Sequence, residues 1–146
     1  MKVYLDMCCY NRPYDPQEQM KIYLETQAKL FIQDWIKMGK LALVASYTLD
    51  YEVSNVPQEE RRATIRAFIY ENASEYLGVE NRNAVEEKAK AIIATGVKEK
   101  DAAHVASAIL AGCDCFVSTD KRLLKYRTDE IRLLNPIELI SELEGE

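Results

Sequence analysis

The sequence predicts a single α/β domain with a mainly parallel sheet, and two observations carry that prediction. Short apolar runs rich in β formers (VYL at about 2–6, LALVA at 41–45, CFVS at 115–118 and EIRLL further on) are bounded by turn residues, and they alternate with longer stretches of helical periodicity. Strands separated by helices re-enter a sheet in the same direction, which makes the sheet parallel. The length of 146 residues, 48% of them hydrophobic and 29% charged, suits one domain with a real core and leaves no room for a second.

The elements follow in order. After VYL comes a loop with Asn11, Arg12 and Pro13. Asp15-Pro16-Gln17-Glu18 then reads as a helix start, with Asp15 as N-cap and Pro16 at the first helical position. Met20, Leu24, Phe31 and Trp35 recur at helical spacing, so they are expected to face the core, and Gly39 ends the helix. LALVA is the next buried strand. Ser46 caps a helix through about Asn55 that carries both Asp50 and Glu52 near the margins of its apolar side, and the pattern leaves open which of them faces the sheet edge. A helix from near Pro57 through ERRATIRAFIYENA, a candidate short strand at EYLGV and a helix stopped by Gly96 form a largely helical middle section expected to pack beside the sheet. Asp101 opens a helix with the stripe Ala102, Val105, Ala106, Ile109 and Leu110, terminated by Gly112. CFVS then ends in Ser118-Thr119-Asp120, EIRLL makes the last strand, and Asn135-Pro136 starts a closing helix.

Four carboxylates therefore stand at element boundaries: Asp6, Glu52, Asp101 and Asp120. In open α/β sheets, chemistry gathers in the crevice beyond the carboxyl ends of the strands, and carboxylate oxygens are hard ligands suited to magnesium or manganese. Each acid also has a plain structural role available: Asp101 beside a helix dipole, Asp120 as a cap for KRLLK. His104, the only histidine, lies one helical turn from Asp101 and just off the apolar stripe. It reads as a general base or as a structural hydrogen-bond partner of an acid. Asp114 reads as a turn residue at the entry of its strand.

The net charge of −5 argues against a uniformly basic nucleic-acid surface, yet a bound cation reverses the local sign at an acidic site. Basic residues flank the acids, among them Arg12, Lys121 and Arg122, which are candidates for contacting a phosphate backbone. The four cysteines lack C-x-x-C spacing and read as small reduced core residues rather than zinc ligands. No apolar run is long enough for a membrane span and no signal-peptide core precedes Asp6, so a cytoplasmic protein is expected.

Taken together, VYLDMCCYNRPYD, SYTLDYEVSN and KEKDAAHVASAILAGCDCFVSTDKRLLK resemble the PIN domain family over nearly the whole chain. D-A-x-H at a helix start, a small-residue helix, an A-G-x-D turn and an apolar strand ending in S/T-x-D occur in order. The resemblance implies a three-layer α/β/α sandwich and a Mg2+- or Mn2+-dependent ribonuclease. The family's four acids fall on Asp6, Glu52, Asp101 and Asp120, with Asp6 and Asp101 as the primary metal ligands, and its polar residue before the last acid falls on Ser118. Where the family has a polar residue after the first acid this chain has Met7, and Asn11 is the candidate substitute. The resemblance further implies an RNA substrate, a toxin silenced by an antitoxin protein, and a homodimer. Two rivals are weighed against it. A D-x-D phosphatase is disfavoured because Cys8 stands where the second acid is required, and a catalytically silent module of the same fold is the other alternative.

Overall fold

The computed structural model describes residues 1–145. Five strands form one sheet: β1 (Lys2–Leu5), β2 (Ala42–Ser46), β3 (Ala73–Leu77), β4 (Cys115–Val117) and β5 (Arg132–Leu134). Every pairing is parallel, in the order β3-β2-β1-β4-β5. The helices are α1 (Met7–Asn11), α2 (Met20–Lys37), α3 (Tyr47–Ser54), α4 (Glu59–Asn72), α5 (Arg82–Ile93), α6 (Glu99–Leu110) and α7 (Pro136–Glu144).

Side chains alternate across a strand, so each central strand feeds two cores. Val3, Leu5, Leu43, Ala45, Cys115 and Val117 pack on one face with Ile32 and Ile36 of α2, Leu49 and Val53 of α3, Ile65 and Ile69 of α4, and Leu139 of α7. Tyr4, Val44 and Phe116 pack on the other with Val85, Ala89 and Ile92 of α5 and Ala102, Val105 and Ala106 of α6. This is the three-layer sandwich that the sequence resemblance implies. The chain winds outward from β1 through β2 to β3, then crosses back to lay β4 and β5 on the other side. That reversal puts a topological switch point between β1 and β4, the position at which open α/β sheets place their ligands.

The structure corrects several sequence expectations. Asp15 does not cap a helix: its carboxylate receives Arg12 Nη1 at 3.0 Å, and Gln17 Nε2 donates to the carbonyls of Arg12 and Asp15. These bonds hold the segment open, and α2 starts only at Met20. The inward face of α2 is also rotated from the expected one. Glu25, Thr26, Lys29, Ile32 and Ile36 are buried, whereas Met20, Leu24 and Phe31 are exposed and Trp35 is half-buried. Glu25, only 1% exposed, points inward because Arg12 Nε and Nη2 grip its Oε1 at 3.0 and 2.7 Å, which compensates the buried charge. The middle section does more than pack beside the sheet: the candidate strand forms at Ala73–Leu77 and joins the sheet beside β2 as its edge strand.

Candidate active site

The carboxyl ends of β1, β2 and β4 deliver the site residues side by side. Asp6 follows β1 directly and caps α1 by accepting Met7 N–H at 2.9 Å. Its second oxygen, Oδ2, accepts the Ser118 hydroxyl at 2.9 Å and the Cys8 thiol at 3.4 Å. Ser118 lies just past β4 and its Oγ also accepts Asp120 N–H at 3.1 Å, so one serine ties the β1 and β4 ends together. Asp6 is only 6% exposed, and burial pushes its carboxyl up to about 8, with the neighbouring Cys8 sulfur adding to the effect.

Ser46 ends β2 and caps α3 by accepting Leu49 N–H at 3.2 Å. That cap sets the phase of α3, and the phase separates the two acids left open by the sequence. Asp50 turns away to accept the Tyr76 hydroxyl of β3. Glu52 turns towards α6 and hydrogen-bonds through Oε1 to His104 Nε2. Burial raises the Glu52 carboxyl, but His104 beside it and Lys100 outweigh burial and hold it below its ordinary value.

Asp101 stands in the first turn of α6 and makes no side-chain hydrogen bond among the described residues. Burial raises its carboxyl, and the negative charges of Asp120 and Glu52 raise it further, against His104 and Lys98. Asp120 is exposed and accepts Arg122 N–H at 2.9 Å and Leu123 N–H at 3.3 Å through one oxygen, so it closes a turn; KRLLK forms only a short 3-10 turn at Leu123–Lys125, not the helix that Asp120 was expected to cap. The four acids thus share one end of the sheet, and Asp101 feels the charges of Asp120 and Glu52. As the side chains stand, no three His, Cys, Asp or Glu among the described residues converge tightly enough to grip an ion.

Three expectations about neighbouring residues change. Arg12 is committed to Glu25 and Asp15, which makes it a brace between α2 and the preceding loop rather than a free phosphate contact. Lys121 and Arg122 are exposed immediately after Asp120 and remain available. Asn11 has no hydrogen bond to Asp6, and its buried Oδ1 has no partner among the described residues. The polar neighbours of Asp6 are instead Cys8 and Ser118; Cys8 was not legible as a partner of the acid, because free cysteine usually serves as core filling.

His104 is also not at the margin of a stripe. It is fully buried, with Nδ1 2.6 Å from the Tyr4 hydroxyl, which in turn lies 2.6 Å from Ser46 Oγ. Neither Tyr4 nor Ser46 was legible as a site residue: a tyrosine inside an apolar run reads as core, and a serine before a helix reads as a cap.

No family model matches the sequence, and no curated protein is detectably similar to it. Solved structures are similar in fold. VapBC2 from Rickettsia felis, bound to a DNA fragment from their promoter, has a chain that matches with a TM-score of 0.57 at 16% identity, over 92% of this chain and 98% of that one. FitAcB from Neisseria gonorrhoeae matches with a TM-score of 0.58 at 14% identity, over the same shares of the two chains. The fold is PIN-like. FitAB bound to an IR36 DNA fragment gives a TM-score of 0.54 at 14% identity, over 92% of this chain and 94% of that one. Asp6, Glu52, Asp101 and Asp120 stand at the carboxyl end of this sheet, beyond β1, β2 and β4.

Proposed function

We propose that this chain is a divalent-metal-dependent endoribonuclease and the toxin member of a toxin–antitoxin pair. The observation that carries the proposal is the gathering of four carboxylates, from segments spread between residues 6 and 120, at the switch point of a parallel sheet. Helix caps and dipoles account for single acids, but they do not call for four of them at one end of the sheet. The charges that Asp120 and Glu52 impose on Asp101 are an electrostatic excess that a cation would relieve, and the all-oxygen donor set suits magnesium or manganese.

Asp6 and Asp101 would hold the ion, with Glu52 and Asp120 holding its waters or a second ion. Bound there, the metal would polarise a phosphodiester and activate a water. The protein's own contribution is positional: Ser118 orients Asp6, His104 orients Glu52, and the turn after β4 orients Asp120. Lys121 and Arg122 flank Asp120 and offer positive charge to an RNA backbone. The similar structures, VapBC2 and FitAB, are assemblies named for two components and bound to DNA, which supports a protein partner for this chain. A homodimer remains part of the same reading.

A manganese-dependent cleavage assay on varied RNAs tests it, comparing the wild type with Asp6→Asn and Asp101→Asn. The expected result is cleavage by the wild type and a loss of at least about 100-fold in each variant. Equal cleavage by all three proteins would mean a contaminant and would remove the claim. One observation favours a second reading, a silent binding module: no three candidate ligands among the described residues converge as the side chains stand. Manganese binding without cleavage of any RNA would select it.

A further inference from the structure

A buried hydrogen-bond chain crosses from β2 to α6 through the middle of the sheet, and its two ends differ in kind. One end is the Ser46 cap of α3. The other is Glu52, which belongs to that same helix two turns further on. Between them stand Tyr4 of β1 and His104 of α6, both wholly buried.

The polarity of the chain follows from counting donors and acceptors. Ser46 Oγ already accepts Leu49 N–H, so its own hydrogen is free to go to the Tyr4 oxygen. The Tyr4 hydrogen then points at His104 Nδ1. Nδ1 is therefore the bare nitrogen, and the ring carries its proton on Nε2, directed at Glu52 Oε1. The reverse order leaves the Ser46 hydroxyl hydrogen without an acceptor among the described residues and, in a neutral ring, turns a bare Nε2 lone pair towards a carboxylate. Only the first order satisfies every buried group, and unsatisfied buried groups are costly.

We propose that Tyr4 and His104 are positioning residues: this one-directional relay fixes the Glu52 carboxylate by one oxygen and leaves the other free to serve the acidic site. Carboxylates that serve metal centres are commonly oriented by such outer partners. Tyr4 is itself immobilised, since its ring stacks on Phe116 at 5.5 Å with an interplanar angle of 15°. The relay therefore references Glu52 to the central strands rather than to its own short helix.

For its consequence at the cation site, the inference rests on the function proposed above; the relay itself is tested without metal. The chain has one histidine, so every imidazole signal in a nitrogen-15 spectrum belongs to His104. The wild type is expected to show the ring proton on Nε2, with Nδ1 accepting from Tyr4, and a single side-chain rotamer for Glu52 from its scalar couplings. Tyr4→Phe keeps the stack on Phe116 and removes only the hydroxyl; it is expected to mix the two tautomers and to let Glu52 sample several rotamers. His104→Gln, which can still donate to Glu52, is expected to preserve the single rotamer, and His104→Leu to lose it.

Manganese affinity should fall about 10-fold in His104→Leu and only about 2-fold in His104→Gln. A proton on Nδ1, or one Glu52 rotamer in both Tyr4→Phe and His104→Leu, overturns the proposal. If His104→Leu does not fold, Tyr4→Phe decides alone. A wild type that binds no manganese overturns the cation reading, and the Glu52 rotamers then decide the relay by themselves.

Discussion

Asp6 pays most heavily for its place. A carboxyl that titrates at about 8 when folded and about 3.9 when unfolded binds its proton more tightly in the native state. Its contribution to stability is fully present below the unfolded value and is lost as pH rises from about 4 to about 8. Asp6→Asn should therefore be more stable than the wild type at pH 8, by about 1–3 kcal/mol, with the difference shrinking towards pH 4. Urea denaturation of both proteins across that range checks the sign, and a gain that grew on acidification would contradict it. Asp6 was legible in the sequence because an acid ending an apolar run is conspicuous. Tyr4 and Ser46 were not, because their significance lies in a partner, His104, 100 residues beyond Tyr4.

Among the elements, caps decided where sequence and structure agree. Asn135 caps α7 with a complete capping box: its side chain accepts Glu138 N–H at 2.8 Å, and Glu138 Oε1 accepts Asn135 N–H at 3.0 Å. Asn135→Ala should cost about 1 kcal/mol and lower Tm by about 3–6 °C, while manganese binding stays unchanged because the Asn135 side chain bonds to the first turn of its own helix and to none of the four acids. Thermal melts with and without the ion separate the two effects. The start of α2 shows the opposite case. Asp15-Pro16 has every local mark of a helix start, but Arg12 claims the Asp15 carboxylate and the local signal loses to a tertiary bond. The same arginine decides which face of α2 is buried, and a periodicity count cannot register a charge that is neutralised from another segment.

For the whole molecule, the parallel sheet was legible because strands alternating with helices re-enter in one direction, and the layers followed from the resemblance, whereas the strand order and the place of β3 were not, the exposed pattern of β3 being too weak to distinguish an edge strand from a loop. The assembled fold concentrates repulsion at one end, so a ligand that cancels it should stabilise the entire domain. Manganese at about 100 times its dissociation constant should add about 2.7 kcal/mol. A Tm that rises with manganese, returns with a chelator, and does not move in Asp101→Asn is the expected pattern; an equal rise in that variant would place the ion elsewhere.

The position of β1 in the middle of the sheet also has a consequence for synthesis. Its β2 edge can pair early, but its other edge waits for β4, and Asp6 waits for Ser118, 112 residues later in the chain. At a ribosomal pace of about 5–20 residues per second, the nascent sheet carries an open edge for roughly 3–14 seconds after β2 emerges. Such an edge is a template for wrong pairing, which makes this interval the hazardous one. In the same interval Asp6 remains hydrated and ordinary, and the acidic crevice does not exist until the last central strand has been made.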